Sequence, residues 1–238
     1  MLLLRILEII VPIFGVIGTG FAYGRLRVPD VREVNALNIT IFTPALIFHA
    51  LTEEAGGQLP LGLAAIAATV VVFGAGALGL IWVRLTGRRA AVYVPPLMFP
   101  NCGNLGLPLA HLAFGADGLA LMIVLMVVEN TLQFTLGLWI LGERMSPKRL
   151  AANPMILATV AGLIGLMAGW HAPAMIQPAI KMLADVSIPL MLIALGVRLS
   201  VGAKGQWRAG LIGGLAAPLT GLAIALPFVW LVQPGATL

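Results

Sequence analysis

Charge is scarce in this sequence. Asp, Glu, Lys and Arg make up only 10% of its 238 residues, while 60% are hydrophobic. A soluble globular domain carries about 25% charged residues. The shortage excludes a soluble fold and leaves no soluble domain to account for. Cysteine is scarcer still. Cys102 stands alone, so no intramolecular disulfide can form, and cysteine usage says nothing about the redox compartment. Catalytic signatures are missing too. There is no HExxH, no GxSxG, no phosphate loop ending in GK[ST], and no ligand cluster at metal spacing. An enzyme is therefore not expected, nor is a metal or cofactor. A cleavable leader is not expected either. Residues 2–24 are longer than a signal-peptide core and show no small-residue cleavage site before Arg25. They read as a retained first span.

What is present is a series of oily segments. About 20 apolar residues are needed to cross a bilayer. Eight segments qualify or nearly so: 2–24, 34–51, 59–85, 91–114, 119–141, 154–170, 176–199 and 209–232. The sixth is short for a span. The expected fold class is an all-α polytopic membrane protein in the lipid bilayer of the cell membrane.

The formal net charge of +5 does not point to nucleic acid, because of where the basic residues fall. Arg25, Arg27 and Arg32 follow span one. Arg84, Arg88 and Arg89 follow span three. Arg144, Lys148 and Arg149 follow span five. Arg198, Lys204 and Arg208 follow span seven. The loops between hold none, and the one after span two carries Glu53 and Glu54 instead. Basic loops stay cytoplasmic. The alternation therefore predicts an outside N-terminus.

The fourth segment is unlike the rest. It contains FPNCGNLGLP, residues 99–108, with Pro95 and Pro96 just upstream. Proline removes an N–H and clashes with the preceding turn. Glycine weakens a helix by roughly 1 kcal/mol against alanine. A helix cannot run cleanly through this stretch, which predicts two half-helices around an unwound centre over residues 99–106. Unwound backbone in a membrane must lie within protein or beside a water-filled cavity. In transporters, such interruptions place half-helix ends at substrate or ion sites. A kinked helix beside a loop is the plainer alternative.

An inverted repeat is the next expectation. Span two has Pro44 after Thr43, and span seven has Pro189 after Ser187. Each unit opens on a Pro/Gly-bearing span, with Pro12, Gly15, Gly18 and Gly20 in one and Pro154, Gly162, Gly165 and Gly169 in the other. An odd number of spans separates the units, so the second lies inverted. This divides the chain into a five-span repeat, 1–145, and a second repeat, 146–238, that holds only spans six to eight.

Several polar residues in these spans are candidates for chemistry. Asn101 and Asn104 each offer amide donors and an acceptor, either to a substrate or to freed backbone. Gly103, Gly106 and Pro108 complete the candidate substrate site. Pro108 suits a first helical turn, and the N–H groups there favour an anion such as a carboxylate. Glu129 lies mid-span, where a carboxylate is costly and a functional hypothesis by default. Its alternatives are a coupling ion or proton and an interhelical hydrogen bond, with Asn130 and Gln133 as companions. Asp185 is the second candidate for a coupling ion or proton. Its i, i+4 spacing from Lys181 favours a structural pair. His49 lies near the outer end of span two, and His111 follows the break. Neither has a partner that sequence can name. GAGALG, residues 74–79, reads as close helix packing.

At this point the motifs resemble a known family. PNCGNLGLPL, residues 100–109, is similar to the PNTLVMGIPL of plant PIN-type carriers at Pro100, Asn101, Gly106, Pro108 and Leu109. ANP at 152–154 and IPLMLIALGVRL at 188–199 are also family-like. The chain as a whole resembles the auxin efflux carrier family, which includes bacterial malate or malonate permeases. The resemblance implies a five-plus-five inverted repeat with two broken helices crossing near the midplane. Spans one, two, six and seven would form a scaffold, and the others a moving transport domain. Asn101 would contact substrate and Pro108 would mark the crossover. Spans nine and ten of that plan are lacking here. The expected function is a secondary transporter of a small organic anion by alternating access, with H⁺ or Na⁺ coupling and a homodimer both open. The alternatives are a channel-like or sensory protein on the same fold, or an inactive truncated carrier.

Overall fold

The computed structural model describes residues 2–27, 30–55, 59–137, 148, 151–202 and 207–232. Outside them lie Arg144, Arg149, Lys204, the expected end of span five, the repeat boundary at 145/146 and the tail from 233. Among the described residues the secondary structure is helical throughout. The helices are α1 (Leu2–Leu26), α2 (Val31–Glu54), α3 (Leu61–Thr86), α4 (Ala90–Met98), α5 (Leu107–Leu132), α6 (Pro154–Ala168), α7 (Gln177–Val201) and α8 (Trp207–Val232).

Among the described residues, six stretches are long and apolar enough to cross a bilayer. The fourth and fifth expected spans fall in one stretch, Ala90–Gly137, and the sixth is the 15-residue α6. The loop expected between 114 and 119 is reduced to a single residue. Gly115 takes φ 68°, ψ −152°, a region essentially confined to glycine, and helical structure resumes at once. The chain is a multi-pass membrane protein. Its outer faces fit that medium: Leu4, Val11 and Phe14 on α1 and Met175 and Met182 near the start of α7 are all exposed.

The chain divides into two compact units. The first comprises Met1–Leu59, Asn101–Val127 and Pro147–Gly202. Its core joins Leu46, Ile47 and Leu51 of α2, Leu107, Leu119, Ile123 and Met126 of α5, and Ala184 and Met191 of α7. Lipid is as apolar as these side chains, so close packing rather than water exclusion holds such helices together. The seam between α1 and α7 is the tightest. A Cβ on Gly20 would run into the carbonyl of Ile193, and one on Gly196 into that of Ile17. The same unit has α6 against α2, with Gly162 facing Leu51 and Gly165 facing Thr52. Asn153 caps α6 by accepting the Met155 N–H at 2.9 Å, and Pro154 follows at the first helical position, where its missing N–H costs nothing.

The second unit comprises Pro60–Pro100, Val128–Ser146 and Ala203–Leu238. Here the GAGALG run packs closely, as expected. Gly76 faces Met98, Gly79 faces Leu97, and Gly74 faces Ile224. Val72, Val83, Val94 and Met98 form its core. At the turn after α3, the Arg88 guanidinium lies 5.1 Å from the ring centres of Trp82 and Tyr93 and donates to the Tyr93 hydroxyl at 3.1 Å.

Candidate functional site

The helix stops at Met98. Phe99 adopts φ −121°, ψ 77°, because a residue before proline is pushed out of the helical region. Asn101 follows with φ −81°, ψ 64°. Its side-chain oxygen accepts the Asn104 N–H at 3.3 Å, and its carbonyl accepts from Leu105 at 3.3 Å and Gly106 at 3.2 Å. Asn101 thus caps the returning helix. Cys102–Gly106 form one wide turn, closed by the Leu107 N–H to the Cys102 carbonyl. Pro108 explains the widening. Its ring would strike the carbonyl four residues back, and it has no N–H of its own. Spreading the turn to an i→i−5 bond moves that carbonyl away. Wide turns of this kind recur at functional sites.

Asn101 is exposed. Cys102, Gly103, Asn104 and Gly106 are half-buried, and Pro108 is buried. A Cβ on Gly106 would come within 2.5 Å of the Met122 methyl, whereas Gly103 has room.

The other candidates are scattered. Glu129 is buried, at 4% exposure, while its expected companion Gln133 is exposed at the start of a further wide turn, Gln133–Gly137. Lys181 and Asp185 form the pair their spacing predicts, at 3.0 Å, with both side chains more than half exposed. His49 and His111 come together with Glu54, Lys181 and Asp185 around a cavity of about 250 Å³ in the first unit.

Sequence reasoning missed three residues. Asn38 is buried in α2, where its side-chain oxygen accepts from the Ser187 hydroxyl at 3.2 Å; Ser187 also lies 3.1 Å from the Thr43 hydroxyl. In the sequence Thr43 and Ser187 stand out only as polar neighbours of the two prolines. Glu53 and Glu54 are not in a loop but in the last wide turn of α2, Ala50–Glu54. Glu53 accepts from the Ala172 N–H at 2.6 Å and the Gln177 amide at 3.0 Å, and lies 3.3 Å from His171. Glu54 lies 3.4 Å from His49. Nothing local in the sequence announces these partners, since each is either more than a hundred residues away or hidden by an assumed loop. An acidic residue placed just after an oily run was the available signal.

Comparison with known proteins now bears on these features. The profile of the family described as "Membrane transport protein" matches residues 5–148 and 141–229. A protein of Rhizobium meliloti (strain 1021) named "Putative malonate transporter" is 27% identical over 216 residues, which is 83% of this chain and 68% of that protein. A family matched over nearly the whole chain, on a scaffold of apolar helices, makes this chain a member of the membrane transport protein family of auxin efflux carrier type.

Proposed function

We propose that the protein is a secondary carrier that moves a small carboxylate across the cell membrane by alternating access. The observation that carries this reading is the break at Phe99–Asn101 with its wide turn and restarted helix, inside an otherwise apolar span. The substrate site is Asn101, Gly103, Asn104, Gly106 and Pro108. With its oxygen on the Asn104 N–H, the Asn101 amide keeps two N–H donors for a carboxylate oxygen. The helix start beyond it adds a positive end. The relative named for malonate supports a dicarboxylate. Glu129 and Asp185 are the carboxylates for coupling to H⁺ or Na⁺, and the protein works as a monomer or a homodimer.

The proposal includes eight spans, an outside N-terminus and two inverted repeats, 1–145 and 146–238. Two packing relations support the repeat. α1 lies on α7, and α6 lies on α2, which is the same contact made twice if spans one and two correspond to six and seven.

Reconstituted vesicles loaded with unlabelled malonate test the function. Labelled malonate outside should accumulate transiently by counterflow, and other short dicarboxylates inside should support it. Uptake that ignores the internal load, or a saturation-free current, would end the carrier reading and favour a channel. Cysteine labelling that places positions 54 and 88 on one side would sink the orientation.

A further inference from the structure

The turn between α3 and α4, in the second unit, carries three arginines that no acidic residue offsets. Arg84, Arg88 and Arg89 are all exposed. Among the described residues no carboxylate pairs with any of them. α4 opens at Ala90 with no acidic residue in its first turn. The pattern of basic loops explains why positive charge lies here. That pattern needs only the charge, and it does not account for how Arg88 is held.

Arg88 is fixed from two sides. Gly87 takes φ 66° at the end of α3, and the Arg88 N–H donates back to the Val83 carbonyl at 3.0 Å. The side chain then lies against Trp82 and Tyr93. Those rings meet edge to face, 5.3 Å apart at 77°, and pack on the core of Val72, Val83, Val94 and Met98. One guanidinium N–H goes to the Tyr93 hydroxyl. Arginine carries five N–H donors in a planar fork that matches a phosphate. Two rings and one hydrogen bond set the plane of this fork and leave the rest of it to an acceptor from outside the protein.

The surroundings select the acceptor. Trp and Tyr gather at headgroup depth in membranes, and a guanidinium is weakly hydrated enough to rest at that boundary. Beside the turn, Ile81, Leu85 and Val92 are 53%, 83% and 55% exposed, so the arginines stand at the end of an apolar, lipid-facing surface. A soluble phosphate would use the arginines and ignore that surface. A phospholipid uses both, with its phosphate on the fork and its acyl chains along the helices. A zwitterionic headgroup would bring a cation of its own towards three arginines, whereas an anionic headgroup does not.

We propose that the Trp82–Arg88–Tyr93 corner, with Arg84 and Arg89 beside it, binds the headgroup of an anionic phospholipid. The site needs only a chain embedded in a bilayer and does not depend on the carrier reading. On the orientation proposed above, the lipid lies in the cytoplasmic leaflet, whose anionic lipids attract basic residues.

Native mass spectrometry of the full chain, purified in detergent and given equal amounts of phosphatidylglycerol and phosphatidylcholine, tests the site. Phosphatidylglycerol should be retained over phosphatidylcholine by about fivefold or more, the worth of one basic side chain at an anionic surface. Arg88→Gln should remove most of that preference. Arg88→Lys should lower it nearly as far, because lysine keeps the charge and the topology signal but loses the fork and the stacking. Arg84→Gln combined with Arg89→Gln leaves the packed turn untouched and should lower it as well. Arg198→Gln removes the same charge from the end of α7 and should leave the preference as it is. Equal retention of the two lipids by the parent protein overturns the site. So does an Arg88→Lys protein that keeps the parent's preference, an unchanged preference in the Arg84/Arg89 double variant, or a loss in Arg198→Gln as large as in Arg88→Gln, since each would reduce the effect to general charge. Displacement of the lipid by millimolar inorganic phosphate would make this a site for a soluble anion and overturn the phospholipid assignment.

Discussion

Two stretches of this chain use the same backbone device and end differently. In α2, Asn38–Phe42 form a wide turn, the Thr43 N–H reaches back to the Asn38 carbonyl, and Pro44 follows. After the break, Cys102–Gly106 form a wide turn, the Leu107 N–H reaches back to Cys102, and Pro108 follows. In each case proline stands two residues past the turn that widens to admit it. Yet α2 stays one continuous helix, and its asparagine is sealed at 3% exposure against Ser187. The other stretch is cut from the helix before it, and its asparagine is exposed. The extra proline decides the difference. Pro100 disfavours helical geometry at Phe99, which leaves the helix there, and no proline stands at the corresponding place two residues before the turn in α2. One proline widens a membrane helix, whereas a second, one helical turn or two earlier, opens it. The asparagine that serves as internal glue in the first case is left available in the second.

This contrast can be broken most sharply at the sealed end. Ser187→Ala should lower stability by about 1–3 kcal/mol, because it orphans the buried Asn38 oxygen and deprives Thr43 of a partner. An interhelical hydrogen bond in a membrane averages about 0.6 kcal/mol, so a larger loss measures the orphaned groups. Unfolding in detergent, with Asn38→Ala and the double variant alongside, should give a less than additive cycle. Additive losses would show that the cluster is not one unit.

Asn101→Ala should cost less, about 1 kcal/mol, the usual value of a lost cap. Asn101→Asp keeps a capping oxygen and should restore that stability, but it removes the amide donors and adds a repelling charge. Malonate counterflow should therefore be lost in both variants. Full counterflow in either one would make Asn101 a cap only. The smallest effect is expected at Gly106→Ala. The new methyl meets the flexible end of Met122, which can move aside, and alanine favours the helix. Near-neutral stability, read by the same unfolding, is the expected result; a loss above about 2 kcal/mol would mean the turn is packed against something stiffer.

Much of this was legible beforehand. Hydropathy located the helices, and proline with glycine located the break, because both signals are local. The pairing of Lys181 with Asp185 was legible for the same reason. The short connection at Gly115 was not, since one glycine in a left-handed region replaces a loop without changing composition. Nor were the contacts of Asn38 and Glu53, whose partners lie more than a hundred residues away, or that of His49 with Glu54, which an assumed loop hid. A membrane span has nearly the same letters on every face, so periodicity does not tell which polar residue turns inward.

The seam between Gly20 and Gly196 has a mechanical meaning. Where α6 meets α2, Gly162 and Gly165 face the side chains of Leu51 and Thr52, which can change rotamer. Along much of the seam between α1 and α7, Ile13, Ile17 and Leu192 also interdigitate, but at Gly20 and Gly196 main chain rests on main chain with no side chain between them to yield. At this crossing α1 and α7 are locked backbone to backbone. A register shift between them would have to push backbone through backbone, so sliding is opposed at this crossing.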